Sequence, residues 1–274
     1  MQRTNTVTTR ATSTDKPNYF RFLGRAIRTE FAKIRFLPST YVVTLLALVT
    51  PWLITTAVSY FMHIMSAFGE MEQNPEGMLH WTRVLGITIF MVWAVTSVTN
   101  DIKHGIFDLT YMAIPRFSII LISKWVTVGV VAAVSTALVQ PLLMQSQKWL
   151  FPGITSNWTW SDPQTIHFLW AQPAYAFMAV GFAIGMGAIF RAAAPAVGVM
   201  LVWEFVGESF LYTTPGGVDI LPWLPFYNAS LFSGEFQQVP SPIGVAGAGI
   251  YWLILCILMV ALGVLRLRIY QRKR

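Results

Sequence analysis

Two carboxylates, Glu204 and Glu208, lie inside an apolar run of residues 192–212. Four positions apart on a helix, they share one face. Because a carboxylate is costly inside a membrane, it faces a water-filled cavity, pairs or carries a proton. Arg83, near the outer end of another apolar run, is the cation expected at a similar depth. The pattern predicts that Glu204 lines a pathway and that Glu208 holds a gate through Arg83 or the loop after residue 212. The alternatives are a hydrogen-bonded Glu204 inside the bundle and a Glu208 that anchors the helix.

A second set of candidates lies in residues 100–116, NDIKHGIFDLTYMAIPR, a charged segment between two apolar runs. Only 11% of the chain is charged, so this density is unusual. The polar residues around the flexible Gly105 are Asp101, Lys103, His104, Asp108 and Arg116. Such a loop is where a soluble partner can reach a membrane protein, and charge reversal at Asp101 or Lys103 is expected to weaken assembly. The alternative is a solvated loop that only caps two spans.

Several kinds of chemistry have no motif in this sequence. It contains no GxxxxGK[ST] phosphate loop, no HExxH and no GxSxG. The four histidines are scattered without metal-ligand spacing, and Cys256 is the single cysteine. We therefore expect no catalytic residue, no metal site and no cofactor bound by this chain. An intramembrane enzyme is disfavoured, and so is a proton-driven carrier with a full relay, although Glu204 and Glu208 leave that alternative open.

The bulk composition indicates a membrane protein. The 274 residues are 55% hydrophobic with a mean hydropathy of +0.55, whereas soluble domains are about 45–50% apolar and about 25% charged. Six apolar segments have roughly the 20 residues that a spanning helix needs. They are residues 41–65, 79–98, 117–143, 173–190, 192–212 and 245–265. Since one helix over residues 173–212 would be about 60 Å long, we predict a hairpin at residues 191–195.

The predicted fold is an all-α polytopic membrane protein with six transmembrane helices after an amphipathic interfacial helix. Residues 1–18 are a polar tail that we expect to be disordered. Residues 19–36 form the amphipathic helix, with an apolar stripe of Phe20, Leu23, Ile27, Phe31 and Ile34. The six-span transmembrane domain covers residues 37–266, with the loop at 100–116, and residues 267–274 are a basic tail.

The distribution of basic residues predicts the orientation. All but Arg83 and Lys148 of the 19 lysines and arginines fall on one side of the six spans. Because cytoplasmic loops carry this excess, both termini and the 100–116 loop are expected in the cytoplasm, with the chain in the cell membrane. The same distribution accounts for the net charge of +7 without a nucleic-acid partner.

Three stretches resemble the type-2 permeases of ABC transporters, the membrane subunits of many bacterial exporters. Residues 29–48, TEFAKIRFLPSTYVVTLLAL, are similar to the glutamate-containing basic helix that runs into that family's first span. Residues 98–125 match the family at Asp101, Lys103, Gly105, Pro115-Arg116 and Lys124, although Ile106 replaces the usual threonine. Residues 181–211, followed by LPWLPF, resemble its Gly-rich fourth span, Arg-containing turn and fifth span with a late glutamate.

The resemblance implies a permease subunit powered by a separate cytoplasmic ATPase, which would hold the ATP and Mg. It also implies a second permease copy, as a homodimer or pseudodimer, and a coupling surface that adds Glu30 and Lys33 to the 100–116 loop. Export from a bacterial inner membrane follows from the family alone. A pathway with few charges favours a hydrophobic or amphipathic drug, peptide or lipid-like substrate. The competing hypotheses are an ATP-independent channel or lipid-binding scaffold and, with less support, an intramembrane enzyme.

Small residues in the fourth span predict close helix packing. Gly181 and Gly185 form GxxxG, and Gly187 extends the small face. This face could line a seam between two copies or the pathway, or it could pack within one subunit. The sequence leaves these alternatives open.

Overall fold

The structure is a computed structural model that describes residues 19–69, 71–156 and 158–272. Within these ranges the regular structure is entirely helical, and six helices are long and apolar enough to cross a membrane. This confirms that six segments have the length and apolar character predicted for membrane-spanning helices. The predicted disordered tail at residues 1–18 lies outside the described residues, as do the last two residues of the basic tail.

The helices are numbered here in chain order, and a helix that contains a wide turn is counted as one. Their bounds are α1 Tyr19–Phe36, α2 Pro38–Met65, α3 Pro75–Lys103, α4 Ile106–Ala113, α5 Phe117–Leu150, α6 Pro163–Phe190, α7 Ala193–Leu211, α8 Gly217–Ile220, α9 Pro225–Ser233 and α10 Gly244–Gln271. A short 3₁₀ turn, Leu221–Trp223, joins α8 to α9. The six candidate spans are α2, α3, α5, α6, α7 and α10.

Most of the spanning helices are longer than the sequence predicted. Helix α6 begins at Pro163 rather than at residue 173, because a proline fits the first turn of a helix. Helix α5 continues to Leu150, and α10 continues to Gln271, so most of the predicted basic tail is helical. Apolar content marks only the part of a helix that suits lipid, and the helical hydrogen bonding continues beyond it. Residues 145–150 therefore belong to α5, and residues 163–172 belong to α6.

Helix α6 is the centre of the bundle. In its most apolar window 72% of residues are buried, against 22% in α2 and in α7. Its glycines allow this close packing. A Cβ on Gly185 would lie 2.6 Å from the carbonyl oxygen of Met259 in α10, and one on Gly181 would overlap the Trp125 ring in α5. Gly187 faces Val95 of α3 in the same way. The small face of the fourth span thus packs within the subunit.

The predicted hairpin between the fourth and fifth spans is present. Helix α6 ends at Phe190, Arg191 takes a left-handed conformation with φ 59°, and α7 begins at Ala193. The Arg191 guanidinium carbon lies 3.4 Å from the centre of the Tyr270 ring, near the end of α10. A cation over an aromatic face is favourable, so this contact fixes the turn against the last span.

The connection between the last two spans folds back onto the bundle. Helix α9 packs on α10 and α6 and buries Phe226, which lies 5.4 Å, ring centre to ring centre, from Trp252. Trp252 also stacks on Phe182 of α6 at 5.3 Å. The segment between α7 and α10 thus contains two short helices, α8 and α9, and the aromatic residues of α9 join the core.

The helix bundle has two opposite ends, and each is named here for one residue that lies at it. The Gly105 end holds α1, α4, the Arg191 turn and the end of α10. The Glu235 end holds the starts of α3 and α6, the end of α7, and helices α8 and α9. His167 near the start of α6 contacts the carbonyl oxygen of Phe232 in α9 at 3.0 Å, which ties the Glu235 end together.

Candidate functional site

A cavity of about 430 Å³ lies at the Glu235 end between α3, α7 and α9. Its size is within the usual range for small-molecule sites, roughly 300–1,000 Å³. Its ionisable walls are His80, Arg83, Glu204, Glu208 and Glu235, and the apolar and aromatic walls include Trp81, Phe205 and Phe226. The side chain of His80 is 41% exposed, so the cavity opens towards the surface there. The site thus joins buried charge to an aromatic lining.

Arg83 is held at the cavity by Glu235. The guanidinium Nε lies 2.7 Å from Oε1 of Glu235, and both side chains are almost fully buried. The N–H is not aligned along this contact, so the pair is an ion pair without a good hydrogen bond. His80 Nδ1 lies 2.9 Å from the same carboxylate oxygen. Burial alone would raise the pKa of Glu235, but Arg83 and His80 outweigh it and hold that pKa below its ordinary value.

Glu208 has a full set of donors. Its two carboxylate oxygens accept hydrogen bonds from the backbone N–H groups of Phe226 at 2.9 Å and Tyr227 at 2.6 Å. These N–H groups belong to the first turn of α9, where no intrahelical acceptor exists. The indole N–H of Trp203 donates to Glu208 at 3.2 Å. A carboxylate at a helix N-terminus also suits the helix dipole, so Glu208 fastens α9 to the end of α7.

Glu204 is the carboxylate without a close partner. Its nearest cation is Arg83, whose Nη1 lies 3.8 Å from Oε1, and neither carboxylate oxygen accepts a hydrogen bond from the residues that the structure describes. Only 3% of the side chain is exposed, and it lines the cavity. Arg83 is already matched at shorter range by Glu235. One buried carboxyl group is therefore left without a close partner in the described part of the chain, facing the cavity.

Two wide helical turns flank these residues. In α3 the segment Thr82–Ile87, which contains Arg83, is a π-helix, and in α7 the segment Trp203–Gly207, which contains Glu204, is another. At the second one the N–H of Glu208 donates to the carbonyl oxygen of Trp203, five residues back. Such turns are rare in proteins as a whole, and those that do occur often lie at functional sites. In α3 the wide turn also lets Gly86 approach the carbonyl oxygen of Ala47, beside Pro51 of α2.

Four charged side chains form a second cluster at the Gly105 end. Lys124 of α5 lies 2.6 Å from Asp101 of α3 and 2.9 Å from Glu30 of α1. Lys33 lies 2.8 Å from Glu30 and 3.4 Å from Asp101. Burial alone would lower the pKa of Lys33, but the carboxylates of Glu30 and Asp101 outweigh it and raise that pKa. The two positive and two negative charges balance, which permits their burial.

This cluster changes the expected coupling surface. The family resemblance added Glu30 and Lys33 to this surface, and the charge density of residues 100–116 added Asp101, yet all three turn inward and join α1 to α3 and α5. Conversely, Phe20 and Phe31 of the predicted apolar stripe are 77% and 49% exposed. The helix at residues 19–36 is thus confirmed, but the side that packs on the chain is not its whole apolar stripe.

The remaining coupling candidates stay at the surface around α4. Gly105 has a left-handed φ of 71°, which suits glycine, and it separates α3 from α4. Lys103, His104, Asp108 and Arg116 are exposed. The helix is fixed from beneath by Tyr111, whose ring stacks on Phe117 at 4.3 Å. Its outer side carries Leu109 and Met112, which are 62% and 74% exposed. We call this surface, residues 103–116, the α4 surface.

The structure therefore separates the predicted site residues into two groups at opposite ends. Arg83, Glu204 and Glu208 meet in one cavity, and of the two predicted partners of Glu208 it is the segment after residue 212, through α9, rather than Arg83 that contacts it. Sequence reasoning missed His80, because a single histidine at the predicted start of the second span gives no sign of its partner, and it missed Glu235, because that residue lies in a loop without helical periodicity. Their only signal was that each is an ionisable residue among aromatic ones. Among residues 19–69, 71–156 and 158–272 no three His, Cys, Asp or Glu side chains are grouped to hold a metal ion.

Comparison with protein-family models, curated proteins and solved structures finds no match to this chain.

Proposed function

We propose that this chain is the membrane permease subunit of an ATP-driven exporter, and that its ATPase is a separate cytoplasmic protein. The proposal rests on the resemblance of residues 29–48, 98–125 and 181–211 to type-2 ABC permeases. Six helices suited to crossing a membrane support it at the level of architecture. The printed sequence contains no phosphate-binding loop, which supports an energy source outside these residues.

The α4 surface is the observation that carries the proposal. It is a short helix between the second and third candidate spans, held rigidly by stacked aromatic rings and displaying both apolar and charged side chains. Exposed large apolar residues such as Leu109 and Met112 mark interaction sites when they are grouped and rimmed by polar residues. A surface of this kind suits a soluble protein partner better than it suits a loop that only closes two helices.

The proposed arrangement places the Gly105 end in the cytoplasm and the Glu235 end towards the other side of the cell membrane. The excess of Lys and Arg at the Gly105 end supports this orientation. Helix α1 then lies at the cytoplasmic interface, with Phe20 and Phe31 turned towards lipid. The cavity with Glu204 becomes part of the outer half of the pathway for a hydrophobic or amphipathic substrate.

A second permease copy completes the proposed assembly. Helices α2 and α7 are the least buried of the six candidate spans. Their exposed apolar residues, such as Leu45, Leu53, Val202 and Val206, need lipid or a second subunit against them. The glycine face of α6 is unavailable for this contact because it is already packed inside the subunit.

The test is ATP hydrolysis by the purified chain with and without its partner. The chain is purified from its own host in mild detergent and reconstituted in lipid, both alone and with any co-purifying protein that contains a phosphate-binding loop. We expect no hydrolysis by the isolated chain, and hydrolysis coupled to transport by the complex. Hydrolysis by the isolated chain contradicts the proposal, and transport or binding without any ATPase supports the channel or scaffold alternative.

Charge reversal locates the partner. Lys103→Glu replaces a positive charge with a negative one at the exposed edge of the α4 surface and leaves the buried cluster unchanged. If the partner presents a negative charge there, two like charges meet across the interface, which can cost several kcal/mol. We expect the ATPase to be lost from the complex while the permease stays folded. Glu72→Lys, an exposed reversal at the Glu235 end, is the matched control. Equal recovery of the ATPase with both variants would place the contact elsewhere.

A further inference from the structure

We propose that the cavity at the Glu235 end binds one organic cation, an ammonium group on a compact apolar body, and that Glu204 is its counter-ion. Only the biological role of this binding, as a step in export, rests on the proposed function. Binding itself is a property of this chain and needs no ATPase.

The charges around the cavity do not balance. Glu235 is paired with Arg83 and His80, and Glu208 is bonded to three N–H groups. Glu204 has only a 3.8 Å approach to a guanidinium that Glu235 already occupies. Glu235 and Glu208 are therefore matched, and Glu204 is the carboxyl group of the cavity that lacks a close partner among the described residues. A buried carboxylate without partners is costly, and a bound cation would relieve that cost.

The free oxygens of Glu204 specify the kind of cation. Both are acceptors that lack a donor, so a ligand with N–H groups satisfies them better than a quaternary cation does. Charge-assisted hydrogen bonds of this type are stronger than neutral ones. An ammonium placed between them supplies both the charge and the donors that the site lacks.

The walls specify the rest of the ligand. The cavity of about 430 Å³ is far larger than a bare ion requires. Its lining includes the aromatic rings of Trp81, Phe205, Tyr212 and Phe226. Aromatic faces attract cations and cover apolar groups. A ring joined to an ammonium by a short alkyl chain fits both the charge and the lining.

The experiment measures binding of radiolabelled 4-phenylbutylammonium to the full chain in lipid nanodiscs, with empty nanodiscs subtracted. We expect saturable binding that falls by about tenfold or more in Glu204→Gln, since a hydrogen bond to a charged group contributes about 1.5–3 kcal/mol. Glu72→Gln, an exposed carboxylate outside the cavity, should bind like the wild-type chain. Absence of saturable binding, or equal binding by Glu204→Gln, overturns the proposal.

A competition arm on the wild-type chain needs no variant. Unlabelled 4-phenylbutylammonium should displace the label, whereas the neutral alcohol 5-phenylpentan-1-ol should compete at least tenfold more weakly. Equal competition by the alcohol would show that the cavity takes apolar groups without regard to charge, and the proposal would fail. Failure here leaves ATPase coupling untouched, and loss of ATPase coupling leaves this binding measurable, so the two proposals are distinguishable.

Discussion

Lys124 lies 2.6 Å from Asp101, and this contact joins the start of the third candidate span to the end of the second. The two residues are 23 positions apart in the chain, and only 2% of the Lys124 side chain is exposed. Glu30 completes the contact from α1. A position that resembles a family motif is thus also the centre of a buried ion network.

Removing Lys124 should destabilise the fold. In Lys124→Met the carboxylates of Glu30 and Asp101 must share Lys33, and breaking a buried pair typically costs about 3–5 kcal/mol. Unfolding in mixed micelles measures the change in free energy. Lys33→Met is the matched control, because 33% of the Lys33 side chain is exposed and water screens its charge. An equal loss in both variants would show that burial of the network does not decide its strength.

Glu208→Gln should loosen α9 selectively. The amide offers one carbonyl oxygen where the carboxylate offers two charged acceptors for the N–H groups of Phe226 and Tyr227. We expect a loss of about 1.5–3 kcal/mol. Amide hydrogen exchange should accelerate in residues 225–233 and stay unchanged in α6. Glu72→Gln is the control, and unaltered exchange in α9 would refute its attachment through Glu208.

Gly185→Ala should destabilise the bundle within a single subunit. The added Cβ would meet the carbonyl oxygen of Met259 at 2.6 Å, so the backbones of α6 and α10 must separate. Overpacking of this kind costs about 1–3 kcal/mol. At Gly198, in the middle of α7, nothing lies within 4 Å, and Gly198→Ala should be neutral or stabilising by up to about 1 kcal/mol. Thermal unfolding of both variants, at concentrations where the chain is monomeric, is the measurement. The idea fails if Gly185→Ala is tolerated as well as Gly198→Ala.

Glu235 should make stability depend on pH on the acid side. Arg83 and His80 lower its pKa in the folded chain below the ordinary value of 4.5, despite the opposing effect of burial. A group of this sign contributes stability above its unfolded pKa and loses it as the pH falls through the folded value. The unfolding temperature of the wild-type chain should therefore drop below pH 4.5. Glu235→Gln should flatten that drop, whereas Asp219→Asn, at an exposed site, should not. Identical acid profiles for all three chains would exclude this role.

The sequence was sufficient for the helical architecture. The apolar runs gave six spans, and the helix length limit required the turn at Arg191, which the structure contains. Depth also indicated that Arg83 lies near the two glutamates, but the predicted partner was Glu208, whereas Arg83 approaches Glu204 at 3.8 Å and Glu235 takes the closer position.

The side-chain partners were harder to predict, for a physical reason. The period of α1 shows which residues share a face but not which face meets the bundle. Glu30 and Lys124 are 94 residues apart, and nothing local in either segment indicates their contact. Glu235 lies in an irregular loop without periodicity, so its burial depends on how α9 folds back onto α10.

The wide turns in α3 and α7 each contain an extra residue next to the cavity, compared with an ordinary α-helix. In an ordinary helix each residue adds about 1.5 Å along the axis and about 100° of rotation. The hydrogen bond from the backbone N–H of Glu208 to the carbonyl oxygen of Trp203, five residues back, closes a turn that contains one residue more than a turn of α-helix. If this residue passed into regular helix, everything beyond Trp203 would advance and rotate by one step relative to Val202. Glu204 would then point along a new direction, while the six-helix bundle kept its connectivity.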